Sequence, residues 1–220
     1  LNAARAASPA GAEMLKGPLT ADAINSEEFA DAFRTVATLD QQNGSANSSV
    51  NANDFAADFN NGLSAVFING VWGASQFAGS DNFVSCIYPN SVAISSANTG
   101  LYVANDLSDA QKELALEFIK YMTSEEVQSR YFLETSSNPI NENVDIQKLA
   151  QESGDPTALK LAEACDKCNK ADTIVLAIDV CWGNDVGGAL QNKFAECAVA
   201  GTDIEAKLAE LQAELTALIG

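Results

Sequence analysis

"FNNGLSAVFINGVWGA", residues 59–74, is the stretch on which the fold turns. An apolar run at 65–68 reads as a short strand, and it meets the turn dipeptide Asn69-Gly70 just before Trp72 and Gly73. A tryptophan on a core-facing strand is normally flanked by residues that pack with it. Here glycines on both sides turn the backbone sharply around the ring. Such a turn can present an indole at the end of a strand, where open α/β sheets bind ligands. The same ring can equally fill a core, because tryptophan is highly buried on average. The residues alone leave both readings open.

Working outward, "NANDFAADFNNG" reads as a short helix with Phe55 and Phe59 one turn apart and a stop at Gly62. Upstream, Asn25 with Glu28 three residues on predicts a helix whose Phe29, Phe33, Val36 and Ala37 share a face, fading at "QQNGSANSS". The first 24 residues, rich in Ala, Gly and Pro, read as an irregular lead-in. Downstream, strands are expected at 82–88 and 101–104. Ser108 and Gln111 form a capping box for "SDAQKELALEFIKYMT", with Leu114, Ala115, Phe118, Ile119 and Met122 as its apolar face. Thr123 with Glu126 repeats the device for a helix ending near Glu134. Helices at 145–153 and 155–170 follow the loop "TSSNPINEN", the second with Asp155 as cap and Pro156 in its first turn. The apolar "TIVLAIDVCW" leads to a helix over about 185–199. A last helix, with Thr202 and Glu205 at its start, carries Ile204, Leu208, Leu211, Leu215 and Leu218. A few strands among many helices predict an α/β or α+β fold with an interrupted sheet.

Charge and composition narrow the partners. The 220 residues suit one domain or two small lobes, and 30 acidic against 12 basic residues give a net charge of −18. That charge repels nucleic acid and anionic lipid, so no nucleic-acid partner is expected. No apolar run approaches the roughly 20 residues that span a bilayer. Leu1 opens without a charged and apolar leader, which places any export signal upstream.

The available chemistry is sparse. The chain has no histidine, which removes the commonest general base, the triads that use it and most catalytic zinc sites. Two carboxylates suffice for a glycosidase, and that is the enzyme alternative. The acids, however, fall where helices use them, with Glu27, Glu28, Glu125 and Glu126 in first turns and Glu205, Glu210 and Glu214 on an exposed face. "VWGASQFAG" lacks a dinucleotide fingerprint, and "DFNNG" and "DVCWGND" lack a calcium ladder. Cys165 and Cys168 form a C-x-x-C inside a helix rather than at its start, where a redox dithiol would sit. They read as small half-buried hydrophobes, with an oxidoreductase as the alternative. No cofactor and no metal are expected. What remains is aromatics beside glycines in turns: Trp72 with Asn69, and Trp182 in "CWGNDVGG" with Asn184 and Asp185 able to bond hydroxyls. A pyranose, with apolar faces and an equator of hydroxyls, complements such a set. A structural module remains the reading if both indoles are core.

The order of these pieces resembles the family 1 extracellular solute-binding proteins, the sugar-capturing subunits of bacterial ABC importers. "DFNNGLSAVFINGVWGA" is similar to the family's F-x-x-G-x-x-A-M-x-x-x-G-P-W signature, preceded by a helix like "INSEEFADAFRTVATL". The "NTGLYVANDLSDAQKELALEFIKYMTSEEVQSRYFLETSSNPINEN" segment and the closing "TDIEAKLAELQAEL" helix follow in the family's order. Val66 replaces the usual methionine, Val71 the proline, and "SSANTG" has one glycine where a pair is common. The resemblance implies a periplasmic-binding-protein-like type II α/β fold, of which this chain resembles the C-terminal portion: a helix-rich lobe with a short mixed sheet. Residues 1–97 and 151–220 would then build the C-terminal lobe, while 98–150 would cross to an N-terminal one. It also implies a mono- or oligosaccharide ligand held in an inter-lobe cleft without catalysis, with a non-sugar solute as the alternative. Trp72 would stack on the sugar, with Asn69, Asn98, Trp182, Asn184 and Asp185 as further ligand-binding candidates. The partner would be an ABC permease, and the location extracellular, as a membrane-anchored lipoprotein or a periplasmic protein. With no partner lobe, the Leu114, Phe118 and Met122 face predicts self-association through the 108–134 helices.

Overall fold

The computed structural model describes residues 1–6, 8–43, 52–76, 83–96 and 100–220. In chain order its elements are α1 (Asn2–Ala6), α2 (Pro9–Met14), α3 (Ala21–Ile24), α4 (Glu27–Asn43), α5 (Ala52–Asn60), a 3₁₀ turn (Val71–Gln76), β1 (Val92–Ser95), α6 (Asp109–Met122) and α7 (Glu125–Thr135). Then come α8 (Ile146–Ser153), α9 (Pro156–Asn169), β2 (Thr173–Leu176), α10 (Ile178–Cys181), α11 (Asn184–Cys197) and α12 (Ile204–Ile219). The chain divides into two compact units: a first from Leu1–Val50, Ile87–Asn98 and Lys170–Gly220, and a second from Asn51–Cys86 and Thr99–Asn169.

The first unit is built on α4. Its Phe29, Phe33 and Ala37 face is fully buried against Val186, Ala189 and Leu190 of α11 and Leu208, Leu211 and Leu215 of α12. Phe33 stacks on Phe194 with ring centroids 5.0 Å apart. Outside this core, Arg34 pairs with Glu205 at 2.7 Å and with Glu27 and Asp31, joining α4 to the start of α12. Strands β1 and β2 pair in parallel, Val92 opposite Thr173 and Ser95 opposite Leu176. Val92 and Val175 bury a second cluster with Ala6 and Leu15.

The lead-in is therefore not irregular, since it forms α1, α2 and α3. Ser8 caps α2 through the Gly11 N–H, Pro9 occupies its first turn, and Thr20 caps α3 through the Ala23 N–H. Burial of Leu15, Leu19 and Ile24 supplies the tertiary support that such short helices need. Three helix starts also lie one residue beyond their expected caps, at Ser26, Ser124 and Asp203. In each case the expected residue closes something upstream. Asn25 donates to Ala21 O and ends α3, Thr123 donates to Ile119 O and ends α6, and Thr202 donates to Glu196 O beyond α11.

The second unit has a smaller core of Ala74, Phe132, Ala150, Ala158, Leu161, Ala162 and Cys165, drawn from the 3₁₀ turn and α7, α8 and α9. Gln128 braces the loop after α7, donating to Met122 O and accepting from the Ile140 N–H. The Ser108–Gln111 capping box is complete. Helix α5 ends as expected, with Gly62 at φ +72. The expected strands do not form: residues 65–68, 83–87 and 101–104 join no ladder among the described residues, and residue 82 lies outside them. β-rich composition describes a side-chain preference, whereas a strand takes its hydrogen bonds from a neighbour. Among the described residues the sheet is correspondingly two parallel strands rather than mixed, with one antiparallel bridge between Tyr88 and Val92 beside it. Neither strand is expected from the sequence: 173–176 reads only as part of an apolar stretch and 92–95 carries no reading, and β1 follows directly on Asn90 and Ser91, which turn the chain at φ 60 and 56.

Candidate functional site

The indole of Trp72 sits on the 3₁₀ turn of the second unit. A three-residue repeat places Val71 and Ala74 on one side, and both pack on the unit's core. Trp72 and Ser75 fall on the other side, and Ser75 Oγ donates to the Trp72 carbonyl at 3.0 Å. Trp72 is 57 % exposed, so it is not walled in by aliphatic neighbours. Its ring lies against Gly70: a Cβ at residue 70 would fall 2.2 Å from two carbons of the six-membered ring. Gly70 therefore lets the six-membered ring of the indole rest on the backbone. Sequence reading singled out the neighbouring glycines as turn formers; the seat itself exists only in three dimensions.

Asn69 lies just before that turn. Its Oδ1 accepts the Gly70 N–H at 2.8 Å, and its Nδ2 donates to Gln76 Oε1 at 3.4 Å. Asn60 Nδ2 donates to the Gln76 carbonyl at 3.0 Å and ties the turn to α5. Gln76 was not anticipated, because its role depends on the 3₁₀ turn bringing position 76 back to position 69.

The other predicted residues lie in the first unit. Trp182 is half-buried and packs against both of that unit's clusters. The Arg5 guanidinium lies 4.7 Å from its ring centroid and 5.6 Å from that of Phe29. Burial holds the Arg5 pKa below its ordinary value, and Trp182 Nε1 is buried with no hydrogen-bond acceptor among the described residues. Asn184 and Asp185 are exposed in the first turn of α11, after Gly183 at φ +91. Asn98 lies outside the described residues. The structure thus places Asn69 just before the turn that carries Trp72 and keeps Asn184 and Asp185 in the turn that follows Trp182.

The thiols behave as packing groups. Cys165 is buried, which pushes its pKa up to about 12, and burial raises Cys168 in the same direction. A thiol held protonated is a poor nucleophile. Among the described residues no group of acidic and cysteine side chains is arranged to hold a metal ion, and no helix is long and apolar enough to cross a membrane. A depression of about 250 Å³ between α2 and β2, lined by Leu15, Lys16 and Thr173–Leu176, contains none of the predicted residues.

The fold is helix-rich with a short parallel sheet, and the indole of Trp72 rests on Gly70. Residues 3–157 match the bacterial extracellular solute-binding proteins, and the chain belongs to that family. Its structure is similar to that of a Streptococcus pneumoniae solute-binding protein in complex with the blood group A-trisaccharide, with a TM-score of 0.91 at 38 % identity. The match covers 98 % of this chain and 56 % of the pneumococcal one, so the chain spans little more than half the length of that relative. No curated protein matches the sequence.

Proposed function

We propose that the whole protein captures a carbohydrate outside the cell and delivers it to a membrane ABC permease, without chemical conversion. The observation that carries this reading is the Trp72 indole, backed by Gly70 and more than half exposed, in a chain 38 % identical over nearly its full length to a protein solved with an oligosaccharide. An indole face matches the C–H face of a pyranose, and neighbouring amides match its hydroxyls. The sugar is held between lobes of the whole protein, with Trp72 and Asn69 as the contacts proposed first. Asn98, Asn184 and Asp185 are further candidates. Trp182 has one ring contact already taken by Arg5, which makes it the weaker platform. The protein is anchored as a lipoprotein or free in the periplasm. The exposed α6 face is a contact surface on which copies of this chain associate.

Titration of the 220-residue chain with the blood group A-trisaccharide, followed by tryptophan fluorescence, tests the ligand class. Binding in the range of about 1 mM, worth about 4 kcal/mol, is expected of one wall of a cleft. Trp72→Ala should remove it. Unchanged binding by Trp72→Ala would end the reading.

A further inference from the structure

We propose that the first unit holds a small inorganic anion, of the halide class, between the buried Arg5 guanidinium and the indole N–H of Trp182. Helix α1 turns Asn2 and Arg5, three residues apart, onto the face that also buries Ala6, and Arg5 is only 1 % exposed. Its Nε, Nη1 and Nη2 are all buried with no hydrogen-bond partner among the described residues, and so is Trp182 Nε1. The two groups are neighbours, because the guanidinium carbon lies 4.7 Å from the Trp182 ring centroid and 5.6 Å from that of Phe29. Ring faces attract a cation without neutralising it. The backbone of α1 is held from two sides. Asn2 Nδ2 donates to the Leu176 carbonyl of β2 at 2.5 Å, and the Ser8 N–H donates to the Arg5 carbonyl at 3.2 Å. Gly11 lets α2 lie against that carbonyl, since a Cβ at residue 11 would collide with its oxygen.

A buried charge is tolerated when it is paired, and an unpaired one is costly. Burial outweighs the through-space pull of Cys181 and Glu28 on the Arg5 charge. Among the described residues the orphaned groups of this cluster are four nitrogen donors against one acceptor, Asn2 Oδ1. Their complement therefore accepts hydrogen bonds and carries negative charge. Because Arg5 is closed off from solvent, that complement has to be small, and an anion that sheds its water readily is favoured, bromide over fluoride. Bound there, the anion ties α1 to Trp182, the residue that ends α10. With a net charge of −18 the chain does not collect anions by general attraction, so a saturable effect identifies a local site.

Thermal unfolding of the 220-residue chain in sodium bromide, chloride, fluoride or gluconate at one ionic strength tests the site. A Kd of about 10 mM raises the ratio of folded to unfolded chain about 10-fold at about 100 mM bromide. Bromide should therefore raise the midpoint over gluconate, chloride less so and fluoride least. General salt effects run the other way, since strongly hydrated anions stabilise folded chains. Arg5→Met should abolish the dependence, and in gluconate it should unfold at a higher temperature than the wild type, because no unpaired cation is then buried. Trp182→Phe keeps a ring and removes the N–H, and should lower the 10-fold effect to about 3-fold, the loss of one hydrogen bond. Chloride NMR on the wild type should show excess line width that bromide displaces; with Trp182→Phe, it carries the test if Arg5→Met does not fold. A wild-type midpoint that is the same in bromide and gluconate, a chloride line that bromide does not narrow, or an Arg5→Met chain that keeps the anion dependence would overturn the proposal.

Discussion

The two units place their apolar side chains differently. In the first, Phe29, Phe33, Leu211 and Leu215 are fully buried, and ion pairs such as Arg34–Glu205 and Lys193–Glu210 join the long helices outside that core. In the second, helix α6 has no buried residue, Leu114 is 72 % exposed, Phe118 54 %, and Tyr102 83 %. Yet α6 has the better local signals, with a complete capping box and an i,i+4 apolar face. Capping and propensity are settled within one or two turns, while burial requires a second surface. An amphipathic stripe states what a helix can cover, and the second unit shows one that its own unit leaves bare.

Core truncation should break that contrast most forcefully. Phe33→Ala removes a fully buried ring stacked on Phe194 and should cost about 3 to 5 kcal/mol. Leu161→Ala, in the smaller core, should cost about 2 to 4 kcal/mol. Hydrogen exchange should report the first loss in α4, α11 and α12, and the second in α8 and α9. Exchange that accelerates equally everywhere in either variant would mean that the units do not hold separate cores.

Replacing the bare face sharpens the contrast from the other side. Leu114→Glu with Phe118→Glu should alter stability by no more than about 0.5 kcal/mol, because neither side chain leaves a core. Sedimentation should at the same time shift from concentration-dependent association to monomer. A large drop in denaturation midpoint would show that α6 is covered within the folded chain.

The cysteines give the smallest effect. Exposed Cys86 should alkylate at neutral pH while buried Cys165 resists. The Cys165 pKa lies above its ordinary 9.0, so the folded state keeps a proton that the unfolded state releases. Its contribution to stability is therefore complete below about pH 9 and is lost as pH rises toward about 12. Equal modification of both thiols by mass spectrometry would contradict the burial.

Much of the fold was legible before any coordinates. The α4 face of Phe29, Phe33 and Ala37, the Ser108–Gln111 box, the Gly62 stop and the Leu208, Leu211 and Leu215 row follow from spacing and cap chemistry, which act over a few residues. The reading failed where a partner decides the outcome. Residues 65–68 and 101–104 have strand composition without a ladder, and α1 to α3 have loop composition with buried contacts that hold them helical. At the site, the sequence identified Trp72, Asn69 and their glycines, but not Gln76.

What the sequence determined by itself is the longer helices, the family and the presence of an indole in a glycine-rich turn, because each rests on short-range stereochemistry or on a pattern along the chain. The tertiary structure alone decided that residues 92–95 and 173–176 pair, that Arg5 lies over Trp182, and that the ring of Trp72 rests on Gly70. Those outcomes depend on which surfaces meet after the chain has turned back on itself, and the order of residues does not record that meeting.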